Sequence, residues 1–162
     1  MPRAKSRSSR AAGSGYLDFV RTVHLNGVGL DSATLKVERS LLSLSSGSSE
    51  NPHAEVSGRQ EAFDITSESF SVRGDYKVAI SGVEGKEVVT IYCTYSASFS
   101  LDAGARKSEV ERFASNEVRL VFWPYLRQFV SDTTARMSIP PLVLPLTSEL
   151  RAHPSSAGNK GA

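Results

Sequence analysis

The side chains that could carry out catalysis or bind a metal ion are few and widely separated in this 162-residue sequence. The histidines His24, His53 and His153 lack helical-turn spacing and spacing with a cysteine, so the sequence predicts no metal site. The single cysteine, Cys93, lies in an alternating apolar segment, where we expect a small core residue rather than a nucleophile. Glycine motifs that bind phosphates or dinucleotides, or that present a catalytic serine, are missing. We therefore expect neither an enzyme nor a cofactor.

Three acidic side chains, Glu109, Glu111 and Glu117, lie near the start of a predicted C-terminal helix. Negative charge at a helix N-terminus is stabilised by the helix dipole, and this explains the group better than acid–base catalysis does. The sequence is more informative about the strands and helices that would position these side chains.

The clearest of these elements is a strand from Val88 to Leu101, where apolar residues alternate with Ser, Thr and Tyr. A second alternating segment runs from Phe70 to Ile80, and the short glycine-bounded linker Gly82–Lys86 predicts an antiparallel hairpin. Gly74 within that segment predicts either a bulge or a close approach of another part of the chain.

The apolar pattern is less regular in the part of the chain that precedes Phe70. We predict a strand from Leu17 to Leu30, with a bulge or turn at Asn26-Gly27 where the apolar phase shifts. Residues 31–44 fit a strand and a short helix equally well. Residues 45–60 are rich in Ser, Gly, Asn and Pro and predict a loop, followed by a short strand that begins near Phe63.

The segment from Asn116 to Thr147 predicts an amphipathic helix followed by an extended apolar arm. Pro124 should kink this helix or mark its first turn, and Pro140, Pro141 and Pro145 exclude a helix in the arm. Helical spacing places large apolar residues on one face: Val118, Val121, Phe122, Tyr125, Leu126, Phe129 and Val130. This face and the arm, with Leu142, Val143, Leu144 and Leu146, need a partner surface in the domain, in another subunit or in a client.

Charge is segregated along the chain. The body, residues 16–150, holds 13 basic and 17 acidic residues, a net charge of −4, although the whole chain carries +2. The basic excess lies in residues 1–15 and 151–162, whose Ser, Gly and Ala content predicts disordered tails flanking one domain. Such a tail could contact nucleic acid in a salt-sensitive way, but a solubilising role is the simpler interpretation, so we do not expect a nucleic-acid partner.

The sequence also bears on location. No apolar run approaches the ~20 residues of a membrane span, and the N-terminus lacks the apolar core of a secretory signal. One cysteine excludes an internal disulfide. A cytoplasmic protein is therefore expected.

The ordered motif from Phe122 to Leu146 resembles the late segment of the SecB family of protein-export chaperones. It contains the aromatic-Pro-Tyr core Trp123–Tyr125, then Arg127, Arg136, and a proline with alternating leucines. Residues 19–30 are similar to the family's first strand and residues 98–101 to its last, so the resemblance covers roughly residues 17–147.

The resemblance implies an α+β fold: a four-stranded antiparallel sheet, then a long Pro-containing helix, with the second C-terminal helix short or absent. It implies an ATP-independent holdase that binds unfolded polypeptides, such as preproteins for export, in apolar grooves, and that assembles as a dimer of dimers. The implied client groove comprises Val28, Leu30, Leu35, Val37, Leu142 and Leu144, and the implied subunit interface comprises Val118, Val121, Phe122, Tyr125 and Phe129. Ordinary core packing explains the groove residues equally well.

Two differences between this sequence and the SecB family bear on whether SecA is a partner. The SecB family docks on the SecA motor through strong acidity, whereas this body is mildly acidic, and the segment after Thr147 is short for a second helix. Both argue against SecA as a partner. The alternatives are a dedicated chaperone of an antitoxin or another single partner, and a structural oligomer without chaperone activity.

Overall fold

The four strands form one antiparallel sheet with β1 and β2 at its edges, in the order β1-β4-β3-β2. The computed structural model describes residues 8–39, 53–82, 85–137, 139 and 142–146. In chain order the elements are α1 (Ser8–Arg21), β1 (Val23–Val37), β2 (His53–Phe63), β3 (Ser69–Ser81), β4 (Glu87–Leu101), α2 (Lys107–Asn116) and α3 (Val118–Arg136). The predicted fold class, an antiparallel sheet followed by a Pro-containing helix, is confirmed.

The hairpin of β3 and β4 forms the centre of the sheet, as predicted. Phe70 lies opposite Phe99 and Ile80 opposite Val89, so both apolar phases face the same side, where they form the core. Tyr92 is exposed on the other face, although Val88 and Thr90 at the start of β4 are buried there.

Gly74 allows α3 to lie close to the sheet. The pairing of β3 with β4 is continuous through Gly74, which lies opposite Tyr95, so the predicted alternative of a bulge is wrong. A Cβ atom at this position would lie 2.8 Å from the ring of Phe122. Close approach is therefore the reason for glycine here.

The strand predicted at residues 17–22 is wrong, because residues 17–21 belong to helix α1 and β1 begins only at Val23. Tyr16 and Phe19, three residues apart, are buried against α2, where Phe19 lies 6.1 Å from the ring of Phe113. Leu17, which belonged to the apolar phase of the predicted strand, is 59% exposed. The helix begins at Ser8, inside the range predicted as a disordered tail, while residues 1–7 and 151–162 lie outside the described residues.

The predicted loop at residues 45–60 is also corrected in part, since His53–Phe63 forms β2 and pairs with β3 along its length. The glycine that suggested a loop, Gly58, lies under the ring of Tyr76, whose Cδ1 atom would be 2.5 Å from an added Cβ. Residues 31–37 are strand, and the bulge predicted at Asn26-Gly27 is confirmed by a register shift there.

The C-terminal helical segment consists of two helices, since α2 ends at Asn116 and α3 begins at Val118. Pro124 lies within α3, where it cannot donate a hydrogen bond to Leu120, so it interrupts the helical ladder rather than marking the first turn. The predicted absence of a second helix after the arm falls on residues outside the described part of the chain. No described helix combines the length and apolar character that a membrane span requires.

Candidate functional site

A row of apolar side chains on β1, exposed or partly buried, lies beside the core. We call it the β1 stripe; its members are Leu25, Val28, Leu30, Ala33, Leu35 and Val37. Each lies opposite a buried residue of β4, so the stripe is on the side of the sheet that carries the helices. Leu25, Leu30 and Leu35 are nevertheless 47%, 44% and 36% exposed.

Two bulges keep these side chains on one side. The register of β1 against β4 shifts between Leu25 and Gly27 and again between Leu30 and Ser32. Because strand side chains alternate between faces, leucines five positions apart would otherwise point to opposite sides. Each bulge adds one residue and restores the apolar phase.

The stripe is exposed because α3 covers the neighbouring strands. Phe122 stacks on Tyr95 of β4 at 5.9 Å and meets Tyr76 of β3 edge-on at 6.2 Å. The Tyr95 hydroxyl donates a hydrogen bond to the Tyr125 carbonyl at 3.3 Å. Leu30, opposite Tyr95, lies one strand beyond this contact.

The predicted interface residues divide into two groups. Val118 and Phe122 are completely buried in the core of the protomer, so their side chains have no surface to offer another subunit. Tyr125 is exposed, and Val121 and Phe129 are partly buried. These three stay a predicted interface, which we call the α3 flank.

The arm, residues 142–146, lies along α3 and is held through its backbone. Arg127 Nε donates to the Leu144 carbonyl at 2.8 Å, and Trp123 Nε1 donates to the Pro145 carbonyl at 2.9 Å. The Leu142 N–H donates to Thr134 Oγ1 at 2.9 Å.

Of the predicted groove residues in the arm, Leu144 is buried in the core and Leu142 is partly buried against it. The exposed arm side chains are Val143 and Leu146, which the predicted groove omitted. Alternation about the inward-pointing Leu144 could have identified Val143, but not Leu146, which has the same phase as Leu144 and is nevertheless exposed. Val28 and Val37 are partly buried at the sheet edge.

The residues considered for chemistry do not form a catalytic arrangement among the described residues. His24 pairs with Asp102 at 2.7 Å, and both side chains are more than half exposed. Burial raises the pKa of the Cys93 thiol to about 12, so it stays protonated at neutral pH. Glu109 accepts a hydrogen bond from the Arg106 N–H at the start of α2, consistent with a structural role.

The opposite side of the sheet carries a shallow depression of about 400 Å³, lined by polar, charged and tyrosine side chains of all four strands. Its charged residues are satisfied within the sheet: Asp75 lies 3.6 Å from Arg59 and accepts a hydrogen bond from Thr94 at 2.9 Å. Lys77 pairs with Glu87 at 2.8 Å. The exposed apolar stripe is therefore the stronger candidate for a binding surface.

With its sheet order, its Pro-containing helix and its returning arm, this chain has a SecB-like fold. The Mycobacterium tuberculosis SecB-like chaperone Rv1957, solved with a ChAD peptide from the Rv1956 HigA1 antitoxin, superposes with a TM-score of 0.70. The identity is 18%, and the alignment covers 85% of this chain and 99% of that one. The predicted SecB-like fold is confirmed.

A Streptococcus agalactiae protein of unknown function is also similar, with a TM-score of 0.44 and 11% identity over 76% of this chain and 96% of that chain. No protein-family model matches the sequence. No curated protein matches it either.

Proposed function

We propose that this protein is an ATP-independent chaperone that binds a non-native polypeptide segment and is dedicated to one partner, such as an antitoxin. The observation that carries this proposal is the exposed β1 stripe on a SecB-like fold. A contiguous exposed apolar surface is typical of an interaction site. The similar Rv1957 is a SecB-like chaperone bound to an antitoxin peptide, which favours a dedicated partner over general export of preproteins.

The proposed mechanism requires no catalytic group. A client segment buries its apolar side chains against the β1 stripe and so is withheld from aggregation. Because the chaperone binds the non-native state and not the folded one, it lowers the free concentration of the aggregating species by mass action. Handover to SecA is the less favoured variant, since the body of the chain is only mildly acidic.

Light scattering from an unfolded client, titrated with this protein, tests the proposal. We expect suppression of aggregation at near-stoichiometric ratios by the full chain and by a variant lacking residues 1–7. A dedicated chaperone should protect one client in a panel of unrelated unfolded proteins, and a general holdase should protect most of them. No suppression of any client, including antitoxins with apolar extensions, would refute the chaperone function.

The α3 flank is the proposed contact between subunits in a dimer of dimers. Its residues lie on one side of α3 and extend the apolar surface beyond the core. Sedimentation velocity should show a smaller assembly for Val121→Ser/Tyr125→Ser than for the control Val143→Ser, which changes an exposed arm residue. Equal masses for the two variants would contradict this interface.

A further inference from the structure

Arg119 is a partly buried cation without a hydrogen-bond or ion-pair partner among the described residues. It is the second residue of α3, and its Nε atom is buried. Phe122 and Trp123, three and four residues further on, are buried against the core, so helical spacing directs Arg119 toward the sheet as well. A buried donor without an acceptor costs free energy, and a charged donor costs more, so this atom calls for an explanation.

The other arginine on this side of α3 shows how such a side chain is satisfied. Arg127 lies two turns further on, and its Nε donates to the Leu144 carbonyl at 2.8 Å, an acceptor that the arm supplies. Within the part of the chain that the structure describes, Arg119 Nε is the one buried side-chain nitrogen or oxygen that lacks a hydrogen bond. Its acceptor must therefore come from outside that part of the chain.

The hydroxyl of Tyr76 is a second donor at the same place. Tyr76 is buried, and its oxygen accepts a hydrogen bond from Gln60 Nε2 at 2.9 Å. Burial raises the pKa of Tyr76 to about 12, so the hydroxyl keeps its proton at neutral pH, and no described residue accepts that proton. The positive charge of Arg119 acts on the same pKa in the opposite direction, which places the guanidinium near this hydroxyl.

We propose that Arg119 and Tyr76 bind a carboxylate between α3 and the β2 side of the sheet, with the guanidinium in a two-point contact and the hydroxyl as a further donor. The fork of a guanidinium matches the two oxygens of a carboxylate. Charge selects the same group, because one cation beside the uncharged Tyr76 and Gln60 balances a single negative charge. A phosphate, with about −1.5 to −2 charges, would bring excess charge into a partly buried place.

This carboxylate site is separate from the β1 stripe. Gln60 lies on β2, the edge strand opposite β1, and Tyr76 lies on the neighbouring β3. Phe122 of α3 covers Tyr95 of β4, the strand between the site and the stripe. The inference therefore goes beyond the proposed chaperone function and does not depend on it.

Stability measurements distinguish an external carboxylate from an acidic group of the protein itself. Arg119→Leu removes a partly buried charge without a partner, so the midpoint of urea denaturation should stay the same or rise. The matched substitution Arg127→Leu should lower the midpoint, because the Leu144 carbonyl loses its donor. A fall for Arg119→Leu as large as that for Arg127→Leu would reveal an acceptor within the folded protein and would overturn the inference.

NMR of the arginine Nε–H groups tests binding directly, with acetate as the probe in a buffer without other carboxylates. Acetate should shift the Arg119 Nε–H proton downfield until the site is saturated. Acetamide, which offers only a carbonyl, and inorganic phosphate should each need at least about tenfold higher concentration for half-saturation. Binding of acetamide as strong as that of acetate, or stronger binding of phosphate, would overturn the inference.

Thermal unfolding compares the variants, because a ligand that binds only the folded state raises Tm. Acetate should raise the Tm of the parent and of Arg136→Leu, which removes an exposed charge from the same helix, but not that of Arg119→Leu. Tyr76→Phe should weaken acetate binding about fivefold or more, because one donor is lost. Equal rises for the parent and Arg119→Leu, or unchanged affinity in Tyr76→Phe, would contradict the site.

Two capped tripeptides identify the source of the carboxylate: alanine–glutamate–alanine and its glutamine counterpart. Binding of the glutamate peptide at least about tenfold tighter than acetate, without binding of the glutamine peptide, would assign the site to an acidic side chain of a polypeptide. Binding no tighter than acetate would assign it to a small free carboxylate. Failure of both acetate and the glutamate peptide to bind would overturn the inference and leave the chaperone function standing, since light scattering measures that function separately.

Discussion

Replacing the three exposed leucines of the β1 stripe by threonine, as Leu25→Thr/Leu30→Thr/Leu35→Thr, should abolish most client binding. Fully burying a leucine side chain is worth about 1.5–3 kcal/mol. The exposed fractions of the three residues are 47%, 44% and 36%, so covering them with a client is worth about 2–4 kcal/mol. The Kd for a client should therefore weaken by roughly 30-fold or more.

The control carries the same three substitutions at exposed leucines outside the stripe: Leu17→Thr/Leu120→Thr/Leu146→Thr. These residues are 59%, 61% and 79% exposed, so the control removes more exposed apolar surface than the stripe variant. If a client bound any exposed apolar surface, the control variant would lose more affinity for the client than the stripe variant. If the stripe is the site, the control binds as the parent does.

The assay is fluorescence anisotropy with a labelled client peptide, accompanied by light scattering of the aggregating client. More than half of each stripe leucine is already buried in the protomer, so the stripe variant also loses some stability. Binding is therefore compared at a temperature where circular dichroism shows both variants folded. An unchanged Kd for the stripe variant, or equal losses for both variants, would refute the reasoning.

Three further predictions concern the scaffold. Gly74→Ala should lower the free energy of unfolding by about 1–3 kcal/mol in urea denaturation, because the added Cβ meets the ring of Phe122 at 2.8 Å. An unchanged denaturation midpoint would contradict this close contact. Thr134→Val should lower the free energy of unfolding by about 1–3 kcal/mol and speed hydrogen exchange at the Leu142 amide, which loses its acceptor. Unaltered exchange would mean that Thr134 does not hold the arm. Cys93, whose pKa is raised from 9.0 to about 12, should have roughly a thousandfold less thiolate at pH 8 than a free thiol. Its reaction with a disulfide reagent should therefore wait for unfolding, and rapid modification of the folded protein would disprove its burial.

Much of the central sheet could be predicted from sequence because one face of it is buried. The alternation along β4 reports that burial directly, and the glycine-bounded linker before it has few ways to connect two strands. The phase shift at Asn26-Gly27 correctly located a bulge, since a change of apolar phase in an otherwise regular strand requires an extra residue.

The elements that were wrongly predicted obtain their structure from distant contacts. Residues 17–21, predicted as strand, are helical because Tyr16 and Phe19 pack on α2, where Arg112 lies 3.8 Å from the centre of the Tyr16 ring. His53–Phe63 became a strand although Val56 and Phe63 are its only large aliphatic or aromatic residues, because β3 supplies the pairing and Tyr76 requires a glycine beneath its ring. Local secondary-structure propensity carries no information about either contact.

The exposure of the candidate site could be predicted only in part, and its role in client binding stays a prediction. Leu30 and Leu35, which the sequence placed in the groove, are exposed on the stripe, whereas the equally exposed Leu25 was left out of the predicted groove. Periodicity cannot distinguish a covered apolar row from an uncovered one, since both alternate in the same way. Leu144 shows the reverse error: the arm folds back on α3 and buries it, through bonds from Trp123 and Arg127 that no local pattern reveals.

The pairing of the first strand with the last has a consequence for synthesis. His24 and Asp102, which close one end of this pairing, are 78 residues apart in the chain. At a translation rate of about 5–20 residues per second, the start of β1 leaves the ribosome roughly 4–16 s before the end of β4 that pairs with it. During that interval the stripe leucines, Leu25, Leu30 and Leu35, have no partner strand. The nascent chain thus itself presents an apolar segment of the kind that this protein is proposed to protect. That segment is covered only when β4 has been synthesised and pairs with β1.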